Sequence, residues 1–110
     1  MRDVSGNELL QVLGTLANPH RLRVVAALAE ERNYVSRLAR ELGISRALLQ
    51  VHLRKLDAAG LVRADIEVSE DGKAMKYYEV TPFAFHLTPE TIMTATRSLS
   101  VKGEPEAELR

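Results

Sequence analysis

The chain has 110 residues, as many Asp and Glu as Lys and Arg, and no cysteine. That length suits one small domain with a modest buried fraction, and the missing thiols exclude disulfides and thiolate metal sites. No apolar run approaches the roughly 20 residues of a membrane span, and MRDVSGNE lacks a signal-peptide core, so a soluble, cytoplasmic protein without membrane contact is expected.

In chain order, Ser5-Gly6-Asn7-Glu8 has the form of a capping box. Leu9, Leu10, Val12, Leu13 and Leu16 then make a wide apolar face on a helix of two to three turns. Asn18-Pro19 restarts the chain as N-cap and first helical residue. The second helix is expected to reach about Glu31, with Leu22, Val24, Val25, Ala26 and Leu28 on its core side. A third helix over 36–42 carries Leu38, Ala39 and Leu42 and stops at Gly43. Ile44-Ser45 leads into a fourth helix ending at Gly60, where a glycine takes the left-handed C′ conformation without penalty.

The period then changes from helix to strand. Val62, Ala64, Ile66 and Val68 alternate with Arg63, Asp65 and Glu67, the pattern of a half-buried strand. Ser69-Glu70-Asp71-Gly72 supplies a hairpin turn, and MKYYEV returns. A two-residue Asp71-Gly72 turn sets Glu67 opposite Lys76 and Ile66 opposite Tyr77, and alternation puts Tyr77 in the core. Pro82 ends the strand, and Thr88-Pro89-Glu90 starts a last helix whose apolar residues are Ile92, Met93 and Leu99. A domain over 1–102 with a polar, frayed tail over 103–110 is expected. The chain thus reads as mainly α with a small β-hairpin, a winged helix-turn-helix in the order α-α-α-α-β-β-α.

The zero net charge hides its distribution. Residues 20–63 hold nine Lys and Arg against four Asp and Glu, whereas 64–102 hold four against six. The basic excess lies on the segment VSRLARELGISRALLQVHLRKL, which has helix–turn–helix spacing: Ala39 is small at the crossing and Gly43 permits the turn. At 100° per residue, Leu49, His52, Leu53 and Leu56 share one face of the fourth helix, which predicts a packed, hydrogen-bonded His52. Ala47, Gln50, Val51, Arg54 and Ala58 lie opposite, with Arg46 on the flank.

On a recognition helix over about 45–59, Gln50 suits an adenine edge, Arg46 a guanine, and Ala47 or Val51 a thymine methyl. Arg54 and Lys55 suit phosphates, and Ser45 is both cap and phosphate ligand. In a wing over about 69–76, Lys73 and Lys76 are the phosphate partners. Arg37 and Arg40 are able either to clamp the backbone or to pair with Glu41 or Glu30. An enzyme is not expected, because no nucleophile–base constellation or phosphate loop is present.

LANPHRLRVVAAL (16–28), LARELGISRALLQVHLRKLDAAGLV (38–62) and DGKAMKYYEVTP (71–82) resemble the ArsR/SmtB family of bacterial winged-helix regulators. HLRKLDAAGLV is the most specific piece, and the family commonly has His at the position of His52. The resemblance implies a homodimer through the first and last helices, here Leu9, Leu10, Leu13, Leu16, Ile92, Met93 and Leu99. It also implies double-stranded DNA with a pseudo-palindromic operator, read by a recognition helix in each major groove.

Family members often bind a metal through cysteines of the third helix or histidines of the last. This chain has no cysteine, and its only histidines are His20, His52 and His86. His86 and Glu90 near the last helix, with His20 and Asp3 or Glu8, leave a nickel or zinc site of His and carboxylate donors open. A small organic ligand, a separate sensor partner protein, or no effector remain alternatives. So does a winged-helix protein-interaction module with no DNA target of its own.

Overall fold

The structure, a computed structural model, describes residues 4–100. Its elements are α1 (Gly6–Leu16), α2 (Pro19–Glu30), α3 (Val35–Leu42), α4 (Arg46–Ala58), β1 (Val62–Val68), β2 (Ala74–Val80) and α5 (Pro89–Thr96). The winged helix-turn-helix order is as expected. Asp3 and the tail over 103–110 lie outside the described residues. The chain groups into two compact units, one of Val12–Phe83 and one of the described parts of Met1–Gln11 and Ala84–Arg110.

Short polar side chains start the helices. Asn18 Oδ1 accepts from the His20 and Arg21 amides, and Pro19 fills a position with no amide partner to lose. Ser45 Oγ accepts from the Leu48 amide at 3.0 Å and starts α4. Gly43 stops α3 at φ +69°, and Gly60 follows α4 at φ +75°, both in the region that favours glycine.

In the larger unit the core is built by Val24 and Leu28 from α2, Leu38 and Ala39 from α3, Leu49, Leu53 and Leu56 from α4, and Leu61 and Val62 at the root of the hairpin. The core stripe of α2 is narrower than the sequence suggested. Leu22 and Ala26 are exposed and Val25 is half-buried, because two residues along a helix is a rotation of about 200° from Val24.

β1 and β2 pair antiparallel, with Asp65 opposite Tyr77, Ile66 opposite Lys76 and Glu67 opposite Met75. This differs by one residue from the expected register. The loop is not the two-residue Asp71-Gly72 turn but Glu70-Asp71-Gly72, closed by Ser69 N–H to Lys73 O at 2.8 Å with Gly72 at φ +84°. Asp-Gly serves such a three-residue loop as well as a two-residue one.

Tyr78, not Tyr77, is the buried tyrosine. It pairs with Asn33, which exchanges both backbone hydrogen bonds with it at 3.0 and 2.7 Å and so forms a one-residue third strand. Asn33 is buried but satisfied, its Nδ2 donating to Glu41 and its Oδ1 accepting from the Tyr34 amide. Of the four β1 residues expected on the covered face of the strand, only Val62 is buried; Ala64, Ile66 and Val68 are exposed. The hairpin outruns the core, so a single face changes from covered to open along its length.

In the smaller unit, Thr88 and Thr91 cap α5 reciprocally, and Pro89 is its first residue. The Gly6 amide donates to Ser98 Oγ and the Ser100 amide to Asn7 Oδ1. A Cβ on Gly6 would overlap the Ala95 carbonyl and the backbone of Leu99, so only glycine allows this approach. Ser5 Oγ caps α1 by accepting from the Glu8 amide, as the sequence indicated.

Candidate nucleic-acid interface

α4 sorts its residues by face as the helical period predicts. Leu49, His52, Leu53 and Leu56 are buried, while Arg46, Ala47, Val51, Arg54, Lys55 and Ala58 are exposed and Gln50 is half-buried. The sequence reading assigned no role to Leu48, which is exposed beside Ala47 and adds a second apolar residue to the outward face next to Val51. Its position one turn before Val51 was the available signal. Ala47 carries little bulk, so the helix can come close to a surface with only short side chains between.

The cations divide into two sets. Arg37 bonds Glu31 and Glu41, each at 3.2 Å, so between a backbone clamp and ion pairing it takes the second. Arg63 meets Glu79 across the strands at 3.0 Å. Arg32 holds Glu67 with both guanidinium ends, at 2.6 and 2.7 Å, and lies 4.3 Å from the Tyr77 ring centroid. The hydrogen bond from Arg32 holds the Glu67 carboxyl below its ordinary pKa. Tyr77 in turn meets Tyr34 edge-on, so this cluster ties the hairpin to the segment between α2 and α3. Nothing local marks Arg32 and Glu67 as partners; they are 35 residues apart and meet only through the true register.

By contrast, Arg21, Arg23, Arg40, Arg46, Arg54, Lys55, Lys73 and Arg97 have no salt bridge to a described residue. Lys76, expected to pair with Glu67, instead sits over the Tyr78 ring, 5.4 Å from its centroid. The backbone at Lys73 is held by Ser69, whose Oγ accepts from the Lys73 amide and donates to the Asp71 carboxylate. The hairpin tip is therefore ordered while its cation stays available.

His52 lies beneath this surface. It is buried, stacked on His20 with ring centroids 5.5 Å apart, and neither ring nitrogen has a hydrogen-bond partner among the described residues. The expected hydrogen bond is not found among the described residues: the His20 ring meets His52 face to face, and the other buried residues of α4 are leucines. Burial pushes its pKa below the ordinary value, and Arg21, His20 and Lys55 add to that.

Among the described residues no three His, Cys, Asp or Glu side chains come together in a way that could hold an ion. The groups around the His20–His52 stack are cationic, which opposes a divalent ion there. His86 and Glu90 are exposed, and the His86 carbonyl accepts from Thr91 Oγ1.

Of the residues expected at a dimer interface, Leu10, Leu13, Ile92 and Met93 are exposed, Leu16 and Leu99 are half-buried, and Leu9 is buried within the chain itself. Among the described residues no helix is long and apolar enough to cross a membrane.

A family model described as bacterial regulatory protein, arsR family, matches residues 18–64, from the cap of α2 into β1. An HTH-type transcriptional regulator of Methanocaldococcus jannaschii is 36% identical over 77 residues, 70% of this chain and 80% of that protein. The homodimeric winged helix-turn-helix DNA-binding domain of a possible ArsR-family regulator from Mycobacterium bovis superposes with a TM-score of 0.60. It is 27% identical, with 67% of this chain and 64% of that one covered. The transcriptional repressor BigR of Xylella fastidiosa shares the fold at a TM-score of 0.60 and 24% identity, covering 83% and 79%.

Proposed function

The chain belongs to the arsR family of bacterial regulatory proteins, which are DNA-binding transcriptional regulators and not enzymes, and we propose that it reads a specific duplex as a homodimer. Each copy lays α4 in a major groove and sets the β1–β2 wing against the backbone. The observation that carries this reading is the division of the cations. Arg46, Arg54, Lys55 and Lys73, on the outward side of α4 and at the wing tip, have no salt bridge to a described carboxylate, whereas Arg32, Arg37 and Arg63 are each held by at least one.

Within this reading Arg46, Ala47, Gln50 and Val51, in the first two turns of α4, face base edges. Ser45, Arg54, Lys55, Lys73 and Lys76 face phosphates. Leu10, Leu13, Ile92 and Met93 provide the dimer contact, since exposed apolar residues on two helices of a small chain suit burial by a second copy. Two copies related by a two-fold axis fit a pseudo-palindromic operator with half-sites about one helical turn apart. We place the protein in the cytoplasm with its DNA. Control by nickel or zinc would need His86 and Glu90 from both copies; a separate sensor protein needs no such site.

The assignment of readers and anchors is tested by two substitutions. Gln50→Ala is expected to relax discrimination at one base pair by about 1–3 kcal/mol, measured by binding to single-position operator variants. Lys73→Ala is expected to weaken all duplexes alike and, with one lysine lost from each wing of the dimer, to flatten the salt dependence by about two units of slope. Equal losses on every sequence in both variants would contradict the division.

A further inference from the structure

Three consecutive residues between α2 and α3 each hold the hairpin by a different bond. The Arg32 guanidinium bonds both carboxylate oxygens of Glu67 on β1, at 2.6 and 2.7 Å, and lies over the Tyr77 ring. The Asn33 backbone exchanges two hydrogen bonds with Tyr78 on β2. The Tyr34 ring meets the Tyr77 ring edge-on, with centroids 5.8 Å apart. The Asn33 side chain ties the same point to the helix–turn–helix, because its Nδ2 donates to Glu41 Oε2 on α3 at 3.2 Å and Glu41 Oε1 accepts from Arg37.

Local helix formation does not account for these residues. Tyr34 is the N-cap of α3 and gives it no side-chain hydrogen bond, where a serine or an aspartate would stabilise the helix. Asn33 is a buried amide where an apolar side chain would need no partners. A local preference broken twice in succession marks residues kept for what they hold.

The attachment lies where the hairpin needs it. Past the buried pair Val62 and Tyr78, the β1 residues Ala64, Ile66 and Val68 are exposed, so no core fixes the tilt of the strands there. The segment 32–34 holds them at two levels instead, at Tyr78 opposite Ala64 and at Glu67 opposite Met75. Lys73 directly precedes β2 at the tip, five residues of strand beyond Ala64, which is about 17 Å. A tilt of about 10° at the root would move the tip by about 3 Å, the length of a hydrogen bond.

We infer that Arg32, Asn33 and Tyr34 are positioning residues for DNA binding: they fix the tilt of the wing, and so the distance from Lys73 to the outward face of α4. This rests on the DNA-binding reading above and deepens it. The three residues act through Lys73 and need no contact of their own with the duplex.

The test is a double-mutant cycle on a duplex selected from a random pool by the wild-type protein, crossing Glu67→Ala with Lys73→Ala. The Arg32–Glu67 pair is partly exposed, so Glu67→Ala should keep a thermal midpoint close to wild type. Removing an acid beside the duplex would by charge alone tighten binding, whereas loss of the wing's tilt weakens it. The expected result is binding about threefold to tenfold weaker, with the salt slope flattened by about two units as in Lys73→Ala. Adding Lys73→Ala to Glu67→Ala should then cost little more, and discrimination at the base pair read by Gln50 should be unchanged.

Tyr34→Ser, which supplies the cap that α3 lacks, should lose the same Lys73-dependent part of the affinity. Binding by Glu67→Ala as tight as wild type or tighter would overturn the inference and leave the DNA-binding reading intact. So would a Lys73→Ala loss of equal size in both backgrounds. If the wild type selects no duplex at all, both fall together.

Discussion

Replacing Leu53 by alanine is expected to lower the unfolding free energy by about 2–5 kcal/mol. Leu53 is fully buried with Leu49 and Leu56 on the inner side of α4, against the cores of α2, α3 and the hairpin root. Its loss removes the transfer energy of the side chain and leaves a cavity between elements that cannot all close on it. A domain of this size has only about 5–15 kcal/mol to lose, so the variant should unfold at markedly lower urea.

Val51, two residues earlier, is the informative contrast. It is exposed on the opposite side of the same helix, so Val51→Ala should change stability by no more than about 0.5 kcal/mol. Under conditions where both variants are folded, Val51→Ala should lose affinity for a selected duplex and Leu53→Ala should not. A reversal of these two readouts would mean that the faces of α4 are wrongly assigned.

The second large effect is on acid stability. His52 has a lowered pKa in the fold because it is buried, with Arg21, His20 and Lys55 adding to the effect, and its two nitrogens have no hydrogen-bond partner among the described residues. In the unfolded chain it titrates near its ordinary value of about 6.5. The folded state therefore holds the imidazole neutral over a range in which the unfolded state binds a proton. The contribution of His52 to stability is intact above pH 6.5 and is lost as pH falls from there toward the folded value. The slope cannot exceed about 1.4 kcal/mol per pH unit for one proton.

Glu67 and Asp71, whose carboxyls are held low by Arg32 and by Ser69, have ordinary values near pH 4 and titrate below this window. His52→Leu removes two unpartnered polar atoms at similar volume, so at pH 7.5 it should be close to neutral or stabilising. Urea unfolding at pH 7.5 and 5.5 should show the advantage of the variant over wild type growing at the lower pH. An advantage that stays constant would show that His52 finds a proton partner in the fold.

Much of this arrangement is visible in the sequence, for identifiable reasons. The division of α4 into Leu49, His52, Leu53 and Leu56 against Arg46, Ala47, Val51 and Arg54 follows from helical period alone. Asn18, Ser45 and Thr88 mark helix starts because a short polar side chain can meet the amides two or three residues on. Gly43 and Gly60 mark ends because positive φ is cheap for glycine.

What is not legible depends on distant neighbours. The register of the hairpin turns on one loop residue, and Asp71-Gly72 fits both loop lengths. That single slip moves Glu67 from Lys76 to Arg32 and exchanges Tyr77 for Tyr78 in the core. Alternation alone cannot say that the hairpin outruns the core and leaves Ile66 and Val68 open. The partnerless state of His52 is equally hidden, because periodicity places a residue on a face without naming what it meets there.

The central claim is that the cations of α4 and the wing that have no salt bridge to a described carboxylate contact phosphates. It is tested most directly by the salt dependence of binding to a duplex selected from a random pool. If two recognition helices and two wings neutralise about six to ten phosphates, log affinity should fall linearly with log salt at a slope of about −5 to −9. Between 50 and 200 mM salt that is a loss of roughly a thousandfold or more. No selected duplex, or binding that is flat across that range, would contradict it.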